Sequence, residues 1–241
     1  MANWSDPRTT AVPRSAGRDA SAARDAGLRS YMLSVYNYMA SGVLLTGIVA
    51  LGFASSGLAQ QVMMTPLRYL IIFAPLAFVM VLSFGINKLS TTAAQGLFWA
   101  FAAVMGLSMS TIFLVYTGTS IATTFFATAA AFAGLSLFGY TTKKDLSGFG
   151  TFLIMGVVGL LVAMVINIFL RSPAMQMAIS AIGVLLFAGL TAYDTQKIKS
   201  MYFHVQGSDF VGKSVVMGAL TLYLDFINMF TFLLSFMGDR R

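Results

Sequence analysis

Every acidic side chain in this sequence is an aspartate, and only two of the eight, Asp194 and Asp225, fall inside long apolar stretches. The others, Asp6, Asp19, Asp25, Asp145, Asp209 and Asp239, stand in tails or between apolar runs. A carboxylate at the centre of a bilayer costs about 2.5–3.5 kcal/mol on insertion scales, so two in one chain need a reason. Thr221, Asp225 and Asn228 follow i, i+4, i+7 spacing and share one helix face. Asp194 shares a face with Thr191 and Thr195. The two runs that carry the aspartates are joined by a short connection, which makes them antiparallel neighbours whose carboxyl groups face each other.

Two carboxyl groups in contact at low dielectric do not readily both ionise. They share a proton and titrate as one unit, a pH sensor built without histidine. Ionised, the same oxygens are the hard ligands that Ca²⁺ prefers. The plainer reading is that each aspartate is satisfied by nearby hydroxyls or by a snorkelling Lys197. Other chemistries are excluded by composition. There is no cysteine, so no thiolate nucleophile or metal site, and a single histidine, His204, rules out a multi-histidine centre. His204 itself reads as a solvated loop group.

The elements that must position these residues follow from hydropathy. Hydrophobic residues make up 58% of the chain and charged ones 10%, with mean hydropathy +0.81. Soluble domains carry about 25% charge, and a water-facing surface cannot be built from so little polarity. The lipid bilayer is the solvent that suits the chain. Seven apolar runs, near 31–54, 66–87, 93–116, 119–140, 148–170, 174–199 and 214–237, are each long enough to cross it as a helix. The fold class is therefore an all-α, seven-helix transmembrane bundle over residues 29–241. Residues 1–28, rich in Arg, Ser and Ala and without an apolar run, read as a mobile basic tail whose removal leaves the fold intact. A transit peptide would share that composition.

Basic residues set the orientation. With the N-terminus inside, Arg8, Arg14, Arg18, Arg24, Arg29, Lys88, Lys143, Lys144, Lys197, Lys199 and Lys213 lie inside, against Arg68, Arg171, Arg240 and Arg241 outside. Eleven against four favours N-in, C-out, although a re-entrant last segment would put both ends inside. This use of the net charge of +7 leaves no role for nucleic acid. In the fourth run, Ala130 and Gly134 lie four apart, spacing that lets a neighbouring helix approach closely. Asn37 and Asn167 read as interhelical hydrogen-bonding groups.

The stretch Leu185-Leu186-Phe187-Ala188-Gly189-Leu190-Thr191-Ala192-Tyr193-Asp194-Thr195-Gln196-Lys197 resembles the signature of the transmembrane Bax inhibitor motif family. So does Ala219-Leu220-Thr221-Leu222-Tyr223-Leu224-Asp225-Phe226-Ile227-Asn228 in the last run. The resemblance implies a seven-helix fold with the last helix near the centre. It implies a multi-pass protein of the inner (cytoplasmic) membrane, not an enzyme, that leaks Ca²⁺ in a pH-sensitive way with no cofactor. It places the paired-aspartate sensor and ion site at Asp194 and Asp225; the supporting polar groups Thr191, Thr195, Thr221 and Asn228 follow from the shared helix faces. Bacterial members also have a basic residue in the second helix that latches onto the pair; the candidate here is Arg68. Some relatives are regarded as modulators of a membrane-bound protease, which makes an interaction protein without transport of its own the rival reading.

Two other readings fail on local pattern. An intramembrane aspartyl protease has its second aspartate after a Gly-x-Gly pattern, whereas Asp225 follows Leu222-Tyr223-Leu224. A retinal protein needs a lysine within a helix, and every lysine here stands at the end of a run.

Overall fold

The computed structural model describes the backbone of residues 14–241 and the side chains from residue 22 onward. Eight helices follow one another: α1 (Arg14–Ser55), the short α2 (Leu58–Met63), α3 (Leu67–Gly85), α4 (Thr91–Val115), α5 (Gly118–Thr141), α6 (Ser147–Leu170), α7 (Pro173–Val205) and α8 (Val211–Met237). Seven of them, all but α2, are long and apolar enough to span a membrane. Lipid offers no partner for backbone polar groups, so uninterrupted apolar runs become helices that satisfy those groups internally.

Where chain polarity returns, helices start and stop on specific residues. The hydroxyls of Ser90, Thr117 and Ser172 accept from the amides of Ala93, Ser120 and Met175, capping α4, α5 and α7. Pro173 occupies the first turn of α7, where its missing N–H costs nothing. Gly57 and Gly207 turn the chain at φ of 75° and 77°, a backbone that only glycine adopts freely.

The helix α8 is the hub. Its most apolar window is 72% buried, against 11–33% for the other spans. It packs on α7, α1, α5 and α4, while α6 leans on α7, and α3 on α4 and α2. The last helix is thus central, as the family resemblance implied. Its inner surface meets a knot of large side chains. Tyr223 lies edge-on to Phe98 and Phe101, and its hydroxyl is 2.6 Å from that of Thr46, which also donates to the Ala102 carbonyl. That buried hydroxyl pair ties α1, α4 and α8 with no polar atom left over.

Three expectations change. First, α1 begins at Arg14, so residues 14–28 are helical; Gly27 lies against Tyr202, and Leu28 is buried. The tail expected over 1–28 therefore overlaps the bundle at its end, and its first thirteen residues lie outside the described ones. Second, Ala130 and Gly134 are exposed, and nothing approaches Gly134. The close approach of α5 occurs instead at Gly139, where an added Cβ would collide with the Ala192 carbonyl of α7. Third, Asn37 is exposed, whereas Asn167 makes its expected contact, donating to Gln176 of α7 at 3.2 Å.

The two ends of the described chain lie at opposite faces. The start of α1 stacks on the last turns of α7, with Tyr31 and Tyr202 ring centres 5.4 Å apart. The C-terminus closes on the α4–α5 connection instead. Thr117 donates to the Asp239 carbonyl at 3.1 Å, Arg241 to that of Val115 at 2.9 Å, and Asp239 to the Ser120 hydroxyl at 2.9 Å. With 27 residues, α8 is about 40 Å long, a full span rather than a re-entrant segment.

Candidate functional site: an aspartate pair between the last two helices

The helices α7 and α8 run against each other along much of their length and place Asp194 opposite Asp225. Asp194 is 9% exposed and Asp225 4%, so both carboxyl groups are inside the bundle. They lie within hydrogen-bonding reach of each other. Two carboxylates are both acceptors, so a bond between them requires that one carry a proton. Asp225 Oδ2 otherwise has no partner. An unsatisfied buried acceptor costs about 1–3 kcal/mol, more when charged.

The surroundings explain why the pair is left to itself. Thr191 donates to the Phe187 carbonyl, Thr221 to that of Met217, and the Asn228 amide to that of Leu224, each one turn back on its own helix. Thr195 points across to α5 and donates to the Ser136 hydroxyl at 3.4 Å. The hydrogen bonds of all four expected supporting groups therefore go to atoms other than the pair. Lys197, one turn beyond Asp194, is exposed. Its ammonium lies 6.0 Å from the Tyr193 ring.

Arg68 is not brought to the pair. It is exposed at the start of α3, where its guanidinium donates to the Tyr69 hydroxyl at 2.8 Å. The neighbours of α3 are α4 and α2, so the helix carries Arg68 on the bundle's flank. The latch expected there is absent from this arrangement.

Two polar groupings escaped the sequence reading. On α5, Ser120, Thr124, Thr128 and Ser136 are buried along one stripe that runs from the C-terminal clamp to the neighbourhood of the pair. Their four-residue spacing was a legible signal, masked by the adjacent alanine-rich face. At the far end of α7, Ser180 donates to Ser235 at 3.1 Å, and the Gln176 amide bridges Asn167 and Ser235. No group of three or more His, Cys, Asp or Glu that could hold a metal occurs among the described residues. Two carboxyl groups fall short of the six to eight oxygens that a resident Ca²⁺ takes.

The comparisons with known proteins agree with this layout. A family model described as "Inhibitor of apoptosis-promoting Bax1" matches residues 28–241, which include both aspartates, six whole spans and most of the first. The Escherichia coli inner membrane protein YbhL is 48% identical over 220 residues, covering 90% of this chain and 94% of its own. An uncharacterized protein of Caulobacter vibrioides is 46% identical over 229 residues, covering 90% and 91%. A Deinococcus radiodurans protein, also uncharacterized, is 42% identical over 214 residues, covering 88% and 92%. With a match from the first membrane helix to the last residue, this chain belongs to the Bax inhibitor-1 family.

Proposed function

We propose that this protein is a pH-sensitive calcium leak of the inner (cytoplasmic) membrane, gated by Asp194 and Asp225, with its N-terminus cytoplasmic. The observation that carries the reading is the buried pair itself, two facing carboxyl groups of which one oxygen has no other partner. With one shared proton the pair is a hydrogen bond that joins α7 to α8. Without it, the pair is two like charges in low dielectric, and α7 and α8 are held differently. Because α8 is the hub of the bundle, a change at its midpoint reaches α1, α4 and α5 together. The ionised pair also supplies oxygens to a passing Ca²⁺, with water completing its shell. On this reading, the arrangement with both carboxyl groups buried is the closed state.

The test is Ca²⁺ flux into liposomes that contain the purified full chain and no other protein, followed from acid to alkaline pH. A pH-dependent flux, altered in D194N and D225N, supports the reading. A chain that is inert alone at every pH would instead match a modulator that acts only on a partner such as a membrane protease.

A further inference from the structure

Outside the bundle core, one hollow has a built polar rim. It measures about 320 Å³ and lies between the α5–α6 connection and the last turns of α7. Lys143 and Lys144 line it from the connection, and Lys197 from α7. The connection is fixed by one side chain. Gln196 accepts from the Leu146 amide at 2.9 Å and donates to the Lys144 carbonyl at 2.8 Å, pinning the loop to α7 from both sides of its carboxamide. Asp145 also lines the hollow but is already engaged. Its carboxylate accepts from the Ser147 amide at 2.9 Å and starts α6, and the bonds from the Ser147 side chain and amide hold it below the usual carboxylate range. Three ammonium groups and one carboxylate leave the rim with a charge of +2.

Like charges on free side chains spread apart, because repulsion at short range is not offset by packing. Here Gln196 pins to α7 the loop that carries two exposed lysines, and α7 brings a third to the same hollow, an arrangement that an anion would complete. The hollow opens at helix ends, at headgroup level, and its volume exceeds that of a single water, about 30 Å³, many times over. Basic hollows between membrane helices at that level suit phosphate oxyanions. We infer that Lys143, Lys144 and Lys197, positioned by Gln196, form a binding site for a phosphate ester, supplied by an anionic phospholipid headgroup or by a small soluble phosphate. The inference does not depend on calcium transport.

The full chain, in nanodiscs of phosphatidylcholine with or without phosphatidylglycerol, is extracted gently and its retained lipid counted by native mass spectrometry. Inorganic phosphate and glycerol 3-phosphate are titrated in parallel onto the phosphatidylcholine discs. Retained phosphatidylglycerol assigns the headgroup as the source, and saturable binding in the second arm assigns the soluble anion; either supports the site. Substituting K143Q/K144Q/K197Q should weaken the bound species roughly a hundredfold, at the strength of one basic residue near a membrane surface for each lysine. Q196A keeps every charge and releases the clamp, and should weaken it about tenfold, the worth of two hydrogen bonds. K88Q/K213Q removes two lysines at other helix ends and should leave binding unchanged. The inference is overturned if neither arm shows binding, if Q196A binds like the unsubstituted chain, or if K88Q/K213Q loses as much as K143Q/K144Q/K197Q. The last outcome would make these lysines ordinary topological charge. Elution as a single monodisperse species checks that each variant is folded.

Discussion

At the scale of single residues, the proposed function makes Asp194 and Asp225 one unit rather than two. Changing either aspartate to asparagine removes the like-charge repulsion and keeps the shape. We expect the pH dependence of calcium flux to flatten in D194N and in D225N alike, and the double substitution to add little, because neither carboxyl works without the other. Flux measured in liposomes across pH checks this; additive effects, or single variants with the unsubstituted pH profile, would falsify the pair. Two other titratable residues serve as controls. His204 is exposed in the last turn of α7, its Nδ1 3.1 Å from the Ser200 carbonyl, and H204Q should leave the profile unchanged. Asp145 is held below the usual carboxylate range by Ser147. Its capping contribution is complete above the unfolded value and is lost only as pH falls through the lower folded one. D145N should therefore leave the response near neutrality intact while loosening the start of α6, which amide exchange would report.

At the scale of elements, small residues matter only where a neighbour is present. Gly139 meets the Ala192 carbonyl of α7, so G139V forces α5 away from the helix that carries Asp194. A cost of about 1–3 kcal/mol is expected, read as a lower thermal midpoint in detergent. G134V, on an exposed face of the same helix, should change the midpoint little. Equal effects at both sites would show that helix propensity, not packing, governs α5. A second contrast concerns α1. Truncation of residues 2–21 keeps Gly27, Leu28 and Tyr31 against Tyr202 and its neighbours, whereas truncation of 2–28 removes the first two. Burial of a leucine is worth about 2 kcal/mol, so the longer truncation should unfold at clearly lower temperature than the shorter. Identical midpoints would mean that this contact contributes nothing.

At the scale of the molecule, seven spans put the described ends of the chain at opposite faces. In the proposed topology the face of Lys88, Lys143, Lys144 and Lys213 is the cytoplasmic one, as the positive-inside rule predicts for the face with the excess of basic residues. A periplasm-active reporter fused after Arg241 is therefore expected to be active, and a cytoplasm-active one silent. The reverse pattern would invert the proposed topology and move the lysine-lined hollow to the outer face.

Length and hydropathy were enough to specify seven spans, because in lipid a long apolar run has no choice but helix. They also singled out Asp194 and Asp225, since a buried acid is conspicuous wherever almost everything else is apolar. Element ends were less legible. Arg24 and Arg29 are as compatible with a tail as with a helix reaching into water, and only Leu28 and Gly27 packing against α7 decided for α1. The choice of contact face on α5 was open too. In a membrane both faces are apolar, so periodicity does not mark the buried one, and the alanine-rich stripe proved to face outward. The same holds for Arg68, whose place on the flank depends on which helices α3 touches. That the two carboxyl groups meet while their threonine and asparagine neighbours bond to other atoms is likewise a property of tertiary packing. Spacing along a helix sets the face a side chain shares, but the partner it finds is set by the helix across from it.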